Sequence, residues 1–154
     1  MTNNDVLRRV RYIFDLSDSA MIAIFGLADS EVTREQVSDW LKKEDDPAYK
    51  ALSDTQMASF LYGLIIDKRG KKVGSQSSPD KRLNTNIIVL KLKIALNLQA
   101  DEVYEILERA DFSLSKHEIS AFFRKPDHKN YRSCKDQVLR NFLKGLELKY
   151  RENL

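Results

Sequence analysis

The chain has 154 residues, with 26 Lys/Arg against 23 Asp/Glu for a net charge of +3, and its hydrophobic share of 42% is ordinary for a globular protein. Its one cysteine, Cys134, excludes an internal disulfide framework, and no apolar run reaches the length of a membrane span. The opening Met1-Thr2-Asn3-Asn4-Asp5 lacks the basic-then-apolar pattern of a secretory leader, so a cytoplasmic protein with no membrane partner is expected.

Gly and Pro are scarce, at five and three, and no long β-branched alternation occurs, which points to an all-α fold. Residues 3–72 align without a gap onto 85–154 at a constant offset of 82, most visibly Phe60-Leu61-Tyr62-Gly63-Leu64 against Phe142-Leu143-Lys144-Gly145-Leu146. The organisation read from this is a first helical repeat over 3–69, a flexible basic linker over 70–83 and a second helical repeat over 84–154. Modules of about 70 residues bury a small fraction of their surface, so two tandem four-helix repeats packed as one pseudo-symmetric body are expected.

In chain order, Leu7, Val10 and Phe14 place an apolar stripe on a first helix, matched by Val89, Leu92 and Leu96. Asn4 and Asn86 precede these stripes at equivalent positions and are expected to be N-caps. A second helix follows Ser17-Asp18-Ser19 through Met21, Ile24 and Phe25, matched by Val103, Ile106 and Leu107; both segments end on Ala-Asp, at Ala28-Asp29 and Ala110-Asp111. The third helices open on capping-box spacings, Thr33 with Gln36 and Ser115 with Glu118. Their buried faces are Val37, Trp40, Leu41 and Ile119, Phe122, Phe123. The fourth begins near Asp54 or Asp136 and carries Met57, Phe60, Leu61, Leu64 or Leu139, Phe142, Leu143, Leu146. Gly63 and Gly145 stand inside these helices, where Gly costs stability, and close approach between the two copies is the expected reason. Between the repeats, Gly70 to Asp80 holds two glycines, three serines and a proline, the composition of a mobile connector.

The copies share a core pattern but not a surface. Residues 1–69 carry nine basic and twelve acidic side chains, net −3, whereas 84–154 carry thirteen and ten, net +3. The divergence concentrates after the third helix. There Lys42-Lys43-Glu44-Asp45-Asp46-Pro47-Ala48-Tyr49 is replaced by Arg124-Lys125-Pro126-Asp127-His128-Lys129-Asn130-Tyr131. Residues 124–149 hold eight Lys/Arg against three acids, and 42–67 hold three against five. In each loop the Asp, Asp45 or Asp127, is expected to accept backbone N–H groups and the Tyr to rest on the fourth helix.

Clustered basic side chains beside an aromatic are the electrostatic footprint of nucleic-acid binding. The candidate interface comprises Arg124, Lys125, His128, Lys129, Asn130, Tyr131, Arg132 and Lys135. A helix-turn-helix over 20–28 and 33–42 is the specific form of that idea, with Gly26 as the small residue where the helices would meet; Glu108 replaces it in the second copy. A protein–protein adaptor using an inter-repeat groove or a homodimer face is the alternative. Catalysis is not expected. The two histidines, His117 and His128, have no Cys/His cluster around them, no metal or cofactor is implied, and Cys134 reads as a small buried thiol.

The strings Asn4-Asp5-Val6-Leu7-Arg8-Arg9-Val10-Arg11-Tyr12, Trp40-Leu41-Lys42-Lys43-Glu44-Asp45, Ser59-Phe60-Leu61-Tyr62-Gly63-Leu64-Ile65 and Pro126-Asp127-His128-Lys129-Asn130-Tyr131 resemble the YehS-like proteins of bacteria, small proteins with an internal duplication. The resemblance spans essentially the whole chain. It implies a bacterial cytoplasmic protein and brings no catalytic residues with it.

Overall fold

The computed structural model describes residues 1–71 and 78–151. Eight helices follow in chain order: α1 (Asn3–Ile13), α2 (Asp18–Leu27), α3 (Arg34–Leu41), α4 (Asp54–Arg69), α5 (Thr85–Ala95), α6 (Ala100–Arg109), α7 (Lys116–Phe122) and α8 (Asp136–Tyr150). The chain divides into two units, residues 1–83 and 84–154, each with four helices in the same order. The centre of the expected mobile connector, residues 72–77, lies outside the described residues. No helix among the described residues is long and apolar enough to cross a membrane.

Within the first unit α4 lies along α2, α3 packs on α2, and α1 meets both α3 and α4; in the second unit α8 lies along α6, α7 packs on α6, and α5 rests on α8. The core of the first unit centres on Phe25, whose ring lies 5.5 Å from Trp40 and 5.2 Å from Phe60. In the second unit the matching positions are Leu107, Phe122 and Phe142, all buried. The central ring of the first unit is thus replaced by an aliphatic side chain in the second.

Local chemistry accounts for the helix ends. Thr2, not Asn4, caps α1: its hydroxyl accepts from the Asp5 N–H at 3.1 Å while the Asp5 carboxylate accepts from the Thr2 N–H at 2.9 Å. Asn84, not Asn86, caps α5, its Oδ1 accepting from the Ile87 N–H at 2.9 Å. The expected capping boxes at Thr33 and Ser115 are present. At the other ends, Asp15, Asp29, Asn97 and Asp111 occupy the left-handed region, with φ between 51° and 57°. The N–H of each following residue reaches back to a carbonyl five positions earlier, as in Ser30 to Phe25 at 3.1 Å and Phe112 to Leu107 at 3.1 Å. Asp and Asn are the side chains that tolerate this conformation best after Gly.

Gly63 and Gly145 answer a contact inside each unit and not one between the copies. A Cβ on Gly63 would run into the carbonyl oxygen of Ile24 and stand 2.9 Å from its carbonyl carbon; on Gly145 it would meet the carbonyl of Ile106, with the carbon at 2.7 Å. Backbones of α2 and α4, and of α6 and α8, approach closely enough that only hydrogen fits. Gly26 has nothing within 4 Å of where a Cβ would stand and is exposed, so it does not serve as the small residue between α2 and α3.

Candidate functional site

The eight candidate residues all lie on or beside the loop joining α7 to α8, residues 123–135. That loop is held by one buried side chain. Asn86, on the first turn of α5, donates from Nδ2 to the Phe122 carbonyl at 3.1 Å and the Arg132 carbonyl at 2.8 Å, and its Oδ1 accepts from the Cys134 N–H at 2.8 Å. Asn4 does the same for the loop between α3 and α4: Nδ2 to Trp40 at 2.9 Å and Lys50 at 2.8 Å, with Oδ1 accepting from Leu52 at 2.9 Å. A buried amide with all three bonds made is stable, whereas leaving its partners unsatisfied costs about 1–3 kcal/mol for each buried group. The Asn positions that match between the copies are therefore clasps, and the caps sit two residues earlier.

Two short turns shape the loop itself. The His128 N–H donates to the Lys125 carbonyl and the Tyr131 N–H to the His128 carbonyl, both at 2.9 Å. The Asn130 N–H donates to His128 Nδ1 at 3.0 Å, and in the first unit the Ala48 N–H donates to Asp46 Oδ1 at 2.9 Å. The side chain accepting in each loop is thus Asp46 or His128, one residue beyond the expected Asp45 and Asp127. His128 Nδ1 is thereby engaged as the acceptor within the turn. A second tie runs from the Arg132 N–H to the Ala121 carbonyl at 3.1 Å, matching Lys50 to Asp39 at 3.3 Å.

This scaffold presents its charges unevenly. Lys125, Lys129 and Lys135 are exposed and form no ion pair with a described residue. Arg132 is exposed but pairs with Glu118 on α7 at 3.3 Å, and Arg140 pairs with Asp136 at 2.7 Å, so both contribute less net field than their count suggests. Arg124 is half-buried, with Nε enclosed and without a hydrogen-bond partner. Tyr131 is half-buried, while Asn130 and His128 are exposed. Cys134 is 4% exposed, and burial pushes its thiol up to about 12, which removes it as a nucleophile near neutral pH. In the first unit the same loop exposes Glu44 and Asp45, and Lys42 is drawn aside by Asp39 at 3.0 Å.

Sequence reasoning passed over Asn86 as a positioning residue and Glu118 as the partner of Arg132. The signal for the first was available: Thr2-x-x-Asp5 is itself a capping box, which leaves Asn4 free for another task. Among the described residues no group of three or more His, Cys, Asp or Glu side chains is placed to hold a metal ion.

An all-helical protein built from two tandem four-helix repeats, each with a clasped loop, is the class these features define. The sequence pattern of the family described as "Protein of unknown function (DUF1456)" matches residues 3–70 and again 85–152, one copy per repeat, and the chain belongs to that family. Among its relatives is the "Uncharacterized protein YehS" of Escherichia coli (strain K12), 44% identical over 147 residues, covering 95% of this chain and 94% of the relative. No solved structure matches.

Proposed function

We propose that this protein is a non-catalytic binding module whose α7–α8 loop engages nucleic acid through its phosphates. One observation carries the reading. The same loop, clasped by the same buried Asn, occurs twice, and where the first exposes Glu44, Pro47 and Ser53 the second exposes Pro126, Lys129 and Lys135, beside a lysine, Lys43 or Lys125, that both expose. A backbone kept while its net charge rises from zero over 42–53 to +4 over 124–135 points to a difference in what the loop meets. Lysines free of intramolecular acids lose little on meeting a phosphate, and each neutralised phosphate releases counterions. His128 adds to the reading: it is exposed, and with Nδ1 engaged in the turn its Nε2 is the ring nitrogen left for a contact.

Binding of mixed-sequence DNA and RNA at low salt tests this. With three or four phosphates contacted, log K should fall against log salt with a slope of about −3 on duplex DNA. Lys125→Glu combined with Lys129→Glu should weaken binding by more than about tenfold and flatten the slope by about 2. Lys43→Glu on the first loop should leave both unchanged. No detectable binding at low salt would discard the reading.

A further inference from the structure

The α7–α8 loop contains a hydrogen bond that depends on a proton. The Asn130 N–H donates to His128 Nδ1 at 3.0 Å, where in the first repeat the Ala48 N–H donates to Asp46 Oδ1 at 2.9 Å. The two acceptors differ in kind. A carboxyl group keeps acceptor capacity whether or not it holds a proton, whereas an imidazole nitrogen accepts only through a lone pair that protonation removes. Imidazole is also the side chain that changes charge between about pH 8 and about pH 5. The exchange of Asp46 for His128 therefore converts a permanent turn bond into one that acid releases.

Release costs the loop little. His128 and Asn130 are both exposed, so the freed N–H meets water and no buried donor is left unsatisfied. The rest of the turn stays tied, through the His128 N–H to the Lys125 carbonyl and the Tyr131 N–H to the His128 carbonyl, and the Asn86 clasp closes the loop beyond it. The surroundings are already positive. Within the loop Arg124, Lys125, Lys129, Arg132 and Lys135 outnumber the single acid Asp127. The flanking helices bring acids that are already paired: Glu118 of α7 with Arg132 at 3.3 Å, and Asp136 and Glu147 of α8 with Arg140 at 2.7 Å and Lys144 at 3.5 Å. Helix α5, which rests on α8, carries the bases Lys91 and Lys93 and no acid. Protonation of His128 thus adds a charge and a second ring N–H to a loop that already exposes three unpaired lysines, and it frees a backbone N–H beside them. Cationic side chains and backbone N–H groups are the donors that phosphate oxygens take.

We infer, resting on the nucleic-acid reading, that His128 makes this loop a proton-gated phosphate site. While the ring is neutral it holds the turn bond to Asn130; once protonated, the ring and the Asn130 N–H together serve a phosphate of the bound strand. Linkage makes the effect mutual, so proton and phosphate each favour the other.

Two measurements test this, and His128→Asn serves both, because its amide oxygen is an acceptor that stays uncharged. Without nucleic acid, the Asn130 amide is followed by NMR from about pH 8 to about pH 5. Its chemical shift should move in step with the His128 ring signals and should stay in place in His128→Asn. Binding of mixed-sequence DNA at constant low salt is then compared at the two ends of that range. Acidification should raise affinity by about tenfold, the lower end for one hydrogen bond to a charged group, and should steepen the salt slope by about 1. His128→Asn should lose that rise, whereas His117→Asn, at the exposed histidine of α7, should keep it. An Asn130 amide that does not follow the ring overturns the inference. So does a wild-type affinity indifferent to pH, or a rise that His128→Asn retains in full; either outcome leaves the nucleic-acid reading standing. Absence of binding at both ends of the range overturns that reading and the inference with it.

Discussion

Residues 42–53 and 124–135 are two tellings of one loop. Each is fastened by an Asn that reaches across 36, 46 and 48 residues to the same three backbone groups, and each contains the same side-chain-to-backbone turn. What differs stands outside the clasp: Pro126 for Glu44, His128 for Asp46, Lys129 for Pro47, Arg132 for Lys50 and Lys135 for Ser53. All but the exchange of Lys50 for Arg132 alter charge, while the backbone bonds persist. The clasp holds the shape of the loop in both repeats, and the charge of its surface varies independently of that shape.

The frame common to both repeats should be the most sensitive to substitution. Gly145→Ala, and equally Gly63→Ala, forces a methyl against a carbonyl of the facing helix and should lower stability by at least about 3 kcal/mol in urea unfolding, at the upper end of overpacking costs. A loss under about 1 kcal/mol at one site and not the other would break the equivalence of the repeats. Next come the clasps. Asn86→Ala leaves two carbonyls and an N–H without their partner, costing about 2–3 kcal/mol. Asn86→Asp should be worse than Ala at neutral pH, because a carboxylate oxygen would then face the Phe122 and Arg132 carbonyls.

Cys134 and Leu52 distinguish the copies at otherwise equivalent clasp partners. Since burial holds the Cys134 thiol up to about 12 against its ordinary 9.0, the folded state binds more protons than the unfolded one across that interval. Its contribution to stability is complete below pH 9 and declines as pH rises towards 12. Cys134→Leu should remove that component of the alkaline loss, which paired pH titrations of unfolding would detect.

Smaller effects are expected at the helix ends and turns. Asp29→Gly or Asp111→Gly relieves a left-handed non-glycine residue and removes an acid from a helix C-terminus, and should raise stability by about 1 kcal/mol by thermal unfolding. The smallest change belongs to the exchange His128→Asp. If the two side chains fill one role in the turn, folding should shift by no more than about 0.5 kcal/mol, while affinity for an anionic partner should fall.

Helix order and most buried positions were legible in the sequence because periodicity is a local property read at spacings of three and four, and two copies check each other. The α7–α8 segment could be picked out for the same reason, by comparing charges position by position. The tasks of the matching residues were less legible. Asn at an equivalent position before a helix satisfies the chemistry of a cap, yet its amide turns inward to a loop dozens of residues away. The glycines identified a close approach without naming its partner, since Ile24 and Ile106 meet them through main-chain carbonyls, which every residue type possesses. Arg132 counted as a free charge until α7 set Glu118 beside it.

The clasp also has a kinetic consequence. Its bonds join the start of each repeat to a point 48 residues later, so they close only after the intervening helices have settled and the long loop has been brought to order. Such late contacts should be nearly absent from the transition state for folding. Loss of the Asn86 amide should then hasten unfolding far more than it slows folding. Each clasp would act as a latch on the time for which its repeat stays shut.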